Sequence, residues 1–469
     1  MTEKSRYDVV IIGAGPGGYV AAARAGQLGL KVAIVDKFER LGGVCLNYGC
    51  IPAKALLDSS EYVAMARHSF KKHGITVGTP KIDLNVMMER KNEVVRALTD
   101  NVAALLKANN VDVFRGAAML ESAARVKVTN DDGEHTIEAD HVLLATGSRP
   151  IALENLPFDG RFIVSSAEAL VFEEIPKRLL IVGGGYVGLE FAAVWSRLGA
   201  KVTVVEMADH IAGVVDGQVS RRLLRILKGQ GIDFKLKTRV TNARVRNKTV
   251  KATLETSAGE ESDHICETVL VSVGREPLTE GLGLENAGVN IDENGFVPVD
   301  EKYRTNIDNI YAIGDLIGGQ MLAHKASAEG RAVAEILAGQ AGEVNYDAVP
   351  VVIYTSPEAA AVGKTEEQLK AEGIPYCTGT FPLTGVGRAR CMGETDGMVK
   401  VLSHHKTDRI LGVHIIAPRA SDMIAEAVFA ITYGASAEDI GRIMHGHPTF
   451  SEAIQEAALV SQQCSIYTG

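Results

Sequence analysis

The residues best placed to do chemistry together are Cys45 and Cys50, in the run Gly42-Gly43-Val44-Cys45-Leu46-Asn47-Tyr48-Gly49-Cys50-Ile51-Pro52-Ala53-Lys54-Ala55-Leu56-Leu57. Two sulfurs this close can exchange a disulfide with a substrate, and the thiolate is the reacting form. Pro52 suits the first turn of a helix, where its missing N–H would have no partner anyway. A helix is therefore expected to start at about Cys50, and a thiol at a helix N-terminus is stabilised as thiolate. Lys54, one turn on, adds positive charge beside the thiol or a bound cofactor. Two other readings stay open. Half of a zinc site would need further Cys or His ligands, and none cluster nearby; two unconnected buried thiols would need nothing. A second candidate is the turn His445-Gly446-His447-Pro448-Thr449-Phe450-Ser451-Glu452, before a helix expected from near Ser451. Histidine titrates near neutrality and can take the proton of a thiol, and a carboxylate such as Glu452 can fix the tautomer of His447. A solvated loop histidine is the competing reading.

The elements that must position these groups repeat once along the chain. Tyr7 to Ile12 reads as an apolar strand, followed by Gly13-Ala14-Gly15-Pro16-Gly17-Gly18 and an alanine-rich helix. Leu179 to Val182 reads the same way, followed by Gly183-Gly184-Gly185-Tyr186-Val187-Gly188 and a helix through Leu198. Each then turns at Gly29 or Gly199 into a second strand that ends in an acid, Asp36 or Glu206, at equal spacing. The first glycine of such a unit allows a tight turn, the second lets the backbone approach a pyrophosphate, and the third lets helix pack on strand. The pyrophosphate then meets the free amides and positive dipole end of the helix, and the acid falls where a ribose carboxylate is needed. Val142 to Pro150 and Val269 to Pro277 resemble each other as closing strands, with Pro150 and Pro277 near domain boundaries. Asn309 to Asp315 is another strand ending in an acid. From about Tyr346 the character changes to strands such as Met398 to Leu402 and Ile410 to Ile416 around helices such as Ser421 to Thr432, with no third glycine fingerprint. The expected fold is α/β: two Rossmann-like dinucleotide-binding domains and a C-terminal α+β domain, divided as 1–150, 151–277, 278–345 and 346–469.

Length and composition set the outer limits. At roughly 150 residues per domain, 469 residues make about three domains, enough for a large core and a cleft. Hydrophobic residues at 46% and charged residues at 23% match ordinary globular chains. A net charge of −9 gives no footprint for nucleic acid or an anionic membrane, so small molecules and proteins are the expected partners. No apolar run approaches the roughly 18 residues of a membrane span. The six cysteines are sparse, and Cys266, Cys377, Cys391 and Cys464 are scattered, which speaks against a secreted disulfide framework. The first residues, Met1 to Arg6, are polar and lead into a strand, so no targeting segment is expected and the compartment expected is the cytoplasm.

Taken together, the residues resemble the pyridine nucleotide-disulfide oxidoreductases, and among them the branch that oxidises dihydrolipoamide. The resemblance covers essentially the whole chain: Gly13 to Gly18, the GGxCxNxGCxPxKAL run, the ATGSRP segment from Ala145, Gly183 to Gly188, the IGD segment ending at Asp315, Met321-Leu322-Ala323-His324-Lys325-Ala326 and HPTxSEA from His447. It implies FAD on Gly13, Gly15 and Gly18 with Asp36 on the ribose, where many members carry glutamate. Lys54 would lie by the flavin and pair with Glu190, Asp315 would hold the ribityl chain, and Met321, Leu322, Ala323 and His324 would contact the flavin. Lys37, Gly43, Ala118, Thr146, Gly147 and Ser148 complete the implied FAD contacts. NAD would lie on Gly183, Gly185 and Gly188, with Glu206 on the ribose hydroxyls and Val240 and Gly274 close by. Tyr186 would either gate the nicotinamide pocket or simply pack at the helix start. Glu206 would repel a 2′-phosphate and Met207-Ala208-Asp209 supplies no arginine, so NAD is favoured over NADP. No metal is implied.

The implied reaction begins when a thiol of dihydrolipoamide loses its proton to His447 and attacks Cys45, the outer sulfur, while Cys50 is the inner thiolate against the flavin. In the family the histidine comes from the partner subunit, so a homodimer is implied. The lipoyl group would be carried by another protein, the lipoyl domain of a 2-oxoacid dehydrogenase or glycine cleavage complex, since no such domain precedes Tyr7. Three relatives fit less well. A glutathione-type reductase would prefer NADP and show basic residues after the second fingerprint; a mercuric reductase would pair cysteines near its C-terminus, where Cys464 is single; a transhydrogenase-like member would lack Cys45 and Cys50. A non-catalytic nucleotide-binding scaffold would have no need of Cys45, Cys50, His447 and Glu452 together.

Overall fold

The computed structural model describes residues 6–467. The expectation of no targeting segment rests on residues before Arg6 and so lies outside the described residues. The chain forms two compact units, 1–55 with 88–151 and 274–344, and 56–87 with 152–273 and 345–469.

In the first unit Arg6–Ile12 is the centre of a seven-stranded sheet, parallel to Val32–Asp36 on one side and to Gly133–Leu144 on the other. Alternate residues of these strands enter opposite cores. Val9, Ile11, Val32, Ile34 and Leu143 pack under the helix Pro16–Gln27, while Val10, Ile12, Ala33, Val35 and Leu144 pack on the other face. Burial on both faces is why these parallel strands read as continuous apolar runs rather than alternating ones. The long strand Gly133–Leu144 also pairs antiparallel with Arg125–Asn130, which pairs with Ala117–Ser122, so a meander grows from the sheet. Pro16–Gln27 lies against Ala323–Leu337 at close range: a Cβ on Gly330 would sit 2.3 Å from the Gly17 carbonyl oxygen.

The second unit repeats the plan. A parallel sheet runs Asp233–Lys235, Lys201–Val205, Arg178–Val182, Thr268–Val271, Ile163–Val164, with the helix Tyr186–Leu198 after its central strand. An antiparallel meander of Thr238–Arg246, Thr249–Thr256 and Glu261–Cys266 again precedes the closing strand. The region 346–469 holds its own five-stranded antiparallel sheet, ordered Val351–Ile353, Glu358–Gly363, Ile410–Ala417, Met398–His404, Tyr376–Pro382. The helices Ala420–Tyr433 and Glu452–Ser461 cover it through Ala427, Ala430, Ala453 and Ala457. The fold is thus α/β with two Rossmann-like sheets and an α+β C-terminal part. Among the described residues no helix is long and apolar enough to cross a membrane, and no cluster of three or more His, Cys, Asp or Glu could hold a metal.

Candidate active site

Both glycine loops are built to one plan. Gly13 and Gly183 have φ of +104° and +110°, and a Cβ there would sit 2.4 Å from the carbonyl oxygen of Ala145 or Ser272 on the closing strand. Cβ atoms on Gly18 and Gly188 would strike the Gly13 and Gly183 oxygens at 1.8 and 2.1 Å. The middle glycines differ. Gly15 and Gly185 cap the helices Pro16–Gln27 and Tyr186–Leu198, and among the described residues nothing beyond their chain neighbours comes within 3.4 Å of a Cβ placed on either. Space kept open at a helix N-terminus, where amides point outward, fits a pyrophosphate. Each acid braces its loop. Asp36 Oδ2 accepts from Ala14 N at 2.7 Å and Oδ1 from Phe38 N at 2.9 Å; Glu206 Oε2 accepts from Gly184 N at 2.7 Å and Oε1 from Ala208 N at 2.8 Å. The shorter aspartate therefore makes the same two amide contacts as the glutamate, and each carboxylate keeps lone pairs for ribose hydroxyls. Glu206→Gln keeps one amide contact and removes the charge, so the preference for NAD over NADP in kcat/KM is expected to fall roughly ten-fold. Steady-state rates with both nucleotides test this, and an unchanged ratio would remove Glu206 from the nucleotide site.

The cysteine run lies directly on the first loop. Gly42 N donates to the Ala14 oxygen at 2.8 Å, and a Cβ on Gly43 would come 2.5 Å from the Gly15 Cα. Cys45 belongs to a short helix of its own, Gly43–Tyr48, which the sequence reading did not foresee. Cys50 is the first residue of the next helix, Cys50–His68. The side chain of Asn47 donates to the oxygens of Leu41 at 3.1 Å and Gly43 at 2.9 Å, closing the loop that carries both sulfurs. The hydrogen bond with Cys50 is the largest cause pushing the Cys45 thiol far above its usual range; burial and the charge on Cys50 add to it, and Lys54 acts in the opposite sense. Cys50 itself stands at a helix start, a position that favours a thiolate.

In the second unit His447 Nδ1 donates to Glu452 Oε1 at 2.7 Å, and Glu452 Oε2 accepts from Thr449 N at 2.8 Å. Glu452 opens the helix Glu452–Ser461, so the helix start holds the carboxylate that holds the imidazole. With Nδ1 committed as donor, the Nε2 lone pair of His447 is left to accept a proton from a ligand, and its side chain is 76% exposed.

Ser148 Oγ hydrogen-bonds Asp315 Oδ2 and accepts from Arg275 Nε at 2.7 Å, which places Asp315 and Ser148 in one polar cluster; Thr146 Oγ donates to the Leu278 oxygen at 2.8 Å, and Leu278 N returns a bond to Gly147. Beneath Asp315 the buried pair Lys325–Glu329 grips the Gly314 amide and carbonyl. Arg275, Lys325 and Glu329 were not singled out as site residues; Arg275 lies far in sequence from Ser148, and nothing local shows that the Lys325–Glu329 pair is buried. Met321, Leu322, Ala323 and His324 form the start of the helix Ala323–Leu337, and Gly116 N bonds the Asp36 oxygen at 3.0 Å, bringing Ala118 to the end of the Asp36 strand. Lys37 is exposed next to Asp36 and lies over the Phe38 ring. Tyr186 and Glu190 share one helix face, with Glu190 buried and accepting from Tyr354 N at 3.1 Å. Val240 is buried in the core with its carbonyl held by Asn155, and Gly274 bonds Ile151 N through its oxygen. Ser148–Pro150 and Arg275–Pro277, read as ends of two closing strands, pair with each other antiparallel.

The pyridine nucleotide-disulphide oxidoreductase family profile matches 7–330, and the dimerisation domain of the same family matches 349–458. The mitochondrial dihydrolipoyl dehydrogenase of Pisum sativum is 47% identical over 462 residues, 98% of this chain and 92% of that protein. A leghemoglobin reductase of Vigna unguiculata is 48% identical over 97% of this chain and 87% of its own. Among solved structures, the HOCl-induced flavoprotein disulfide reductase RclA of Escherichia coli superposes with a TM-score of 0.86 at 28% identity, covering 97% and 99% of the two chains. FAD and NAD are the cofactors and a homodimer is the assembly. Doubled nucleotide loops, a cysteine pair seated on the first of them, and matches that run from end to end lead to one conclusion: the chain belongs to the pyridine nucleotide-disulphide oxidoreductases.

Proposed function

We propose that this protein oxidises protein-bound dihydrolipoamide to lipoamide through the Cys45–Cys50 disulfide, with reduction of NAD. The observation that carries the reading is the seating of the cysteine run on the Gly13–Gly18 loop, with Cys50 opening the helix Cys50–His68. His447 of the partner subunit takes the proton of one substrate thiol through Nε2. The thiolate so formed attacks Cys45 Sγ, the Cys45–Cys50 bond breaks, and Cys50 leaves as thiolate. The second substrate thiol then attacks the substrate sulfur bonded to Cys45 and gives its proton to Cys45 as that bond breaks, which closes the lipoyl ring and releases Cys45 as a thiol, with the first proton held on His447. Bound FAD and NAD supply an acceptor for the electron pair left on the dithiol and a final acceptor that takes it as hydride. Asp36, Glu206 and the two glycine loops hold the nucleotides; Ser148, Asp315 and the start of the helix Ala323–Leu337 line the flavin side.

The lipoyl carrier is proposed to be a lipoyl domain of a 2-oxoacid dehydrogenase or glycine cleavage complex, and the compartment to be the cytoplasm, which fractionation of cells expressing the full-length protein would check. The activity is tested by comparing dihydrolipoamide with NAD against glutathione disulfide with NADPH. A clear preference for the first pair is expected; the reverse would overturn the substrate. The purified protein is expected to be yellow, and anaerobic NADH to raise a long-wavelength band from a thiolate beside the flavin.

A further inference from the structure

The turn that carries His447 has a second histidine-carboxylate pair, and this one is hidden. His445 Nε2 lies 2.7 Å from Glu426 Oε1 and Nδ1 lies 3.2 Å from the Ile443 oxygen, with the side chain only 6% exposed. Neither partner atom carries a hydrogen, so only an imidazole protonated on both nitrogens satisfies both contacts. The pair ties the turn to the helix Ala420–Tyr433, where Glu426 sits. From the other side Gln455 Nε2 donates to the Ile443 oxygen at 2.9 Å and Glu452 holds His447 and Thr449. His447 itself is exposed, and among the described residues Glu452 fixes its ring. Resting on the proposed function, we infer that His445 is a positioning residue for the reaction, an imidazolium clamped to Glu426 that sets the height of the turn from which His447 meets the substrate thiol.

The charge on His445 is consistent with its surroundings. The hydrogen bond with Glu426 is the largest cause raising its pKa, burial acts against it, and the charge of Glu426, the Ile443 carbonyl and the charge of Glu452 add to the rise. A histidine whose folded pKa is raised contributes its clamp fully below the ordinary histidine pKa and loses it as pH climbs through the raised value. Removing either partner of a buried pair leaves the other uncompensated, so the turn must shift to wet it.

The test uses the FAD-loaded dimer. Glu426→Gln and His445→Gln are expected to lower kcat for dihydrolipoamide roughly ten-fold by displacing the base, while NADH oxidation by ferricyanide, which needs no proton transfer at His447, stays at the wild-type rate. Imidazole C2 hydrogen exchange followed by mass spectrometry is expected to put the His445 midpoint above the ordinary histidine value in wild type and lower in Glu426→Gln. Wild-type kcat in both variants, equal loss of both activities, or a His445 midpoint at or below the ordinary value would each overturn the inference. If wild type fails to oxidise dihydrolipoamide at all, the proposed function falls, and the exchange midpoint still decides the state of His445.

Discussion

Cys50→Ser is expected to lower dihydrolipoamide oxidation by at least about 10⁴-fold, because serine can neither form the disulfide nor leave as a stabilised anion. Cys45→Ser is expected to lose as much, for a different reason: the sulfur that the substrate attacks is gone. The two variants separate in their spectra. Cys50 opens a helix, which stabilises its thiolate, so the long-wavelength band should persist in Cys45→Ser and vanish in Cys50→Ser. A band retained in Cys50→Ser would reverse the roles of the two sulfurs. Both variants should still pass electrons from NADH to ferricyanide, which shows that the fold and nucleotide sites survive.

His447→Ala is expected to lower kcat for dihydrolipoamide by roughly 10² to 10⁴, the usual weight of a positioned general base. Glu452→Gln tests the same pair more gently. Glu452 accepts two bonds, from His447 Nδ1 and from Thr449 N, and a glutamine has one acceptor oxygen for the two of them. Either the imidazole loses its tautomer or the turn loses its anchor, and roughly a ten-fold loss is expected. Rates against pH for wild type and both variants check this. A His447→Ala enzyme with an undiminished rate would place the base elsewhere.

The nucleotide loops, the acids that end their second strands and the helix start at Cys50 were legible in the sequence because each is a short-range backbone requirement. Gly13 and Gly183 must take positive φ where the strand turns, Pro52 within a helix fits only the first turn, and Ser451-Glu452 opens the helix after the histidine turn. Other features depend on which distant strands and helices come together. The separate helix of Cys45, the two antiparallel meanders, and the pairing of Ser148–Pro150 with Arg275–Pro277 follow from sheet register and packing. The cluster of Arg275, Ser148 and Asp315 and the Glu426–His445 clamp join side chains whose own neighbours in sequence say nothing of a partner, and the burial of the Lys325–Glu329 pair is likewise set by packing. Lys400 shows the reason most plainly. It lies in the apolar strand Met398–His404 and is 1% exposed, a placement tolerable only because Asp216 and Glu366 meet its ammonium at 2.8 and 2.6 Å. Local backbone chemistry determined where nucleotides and sulfurs could act; burial, which only the tertiary structure supplies, decided which charges hold those groups in place.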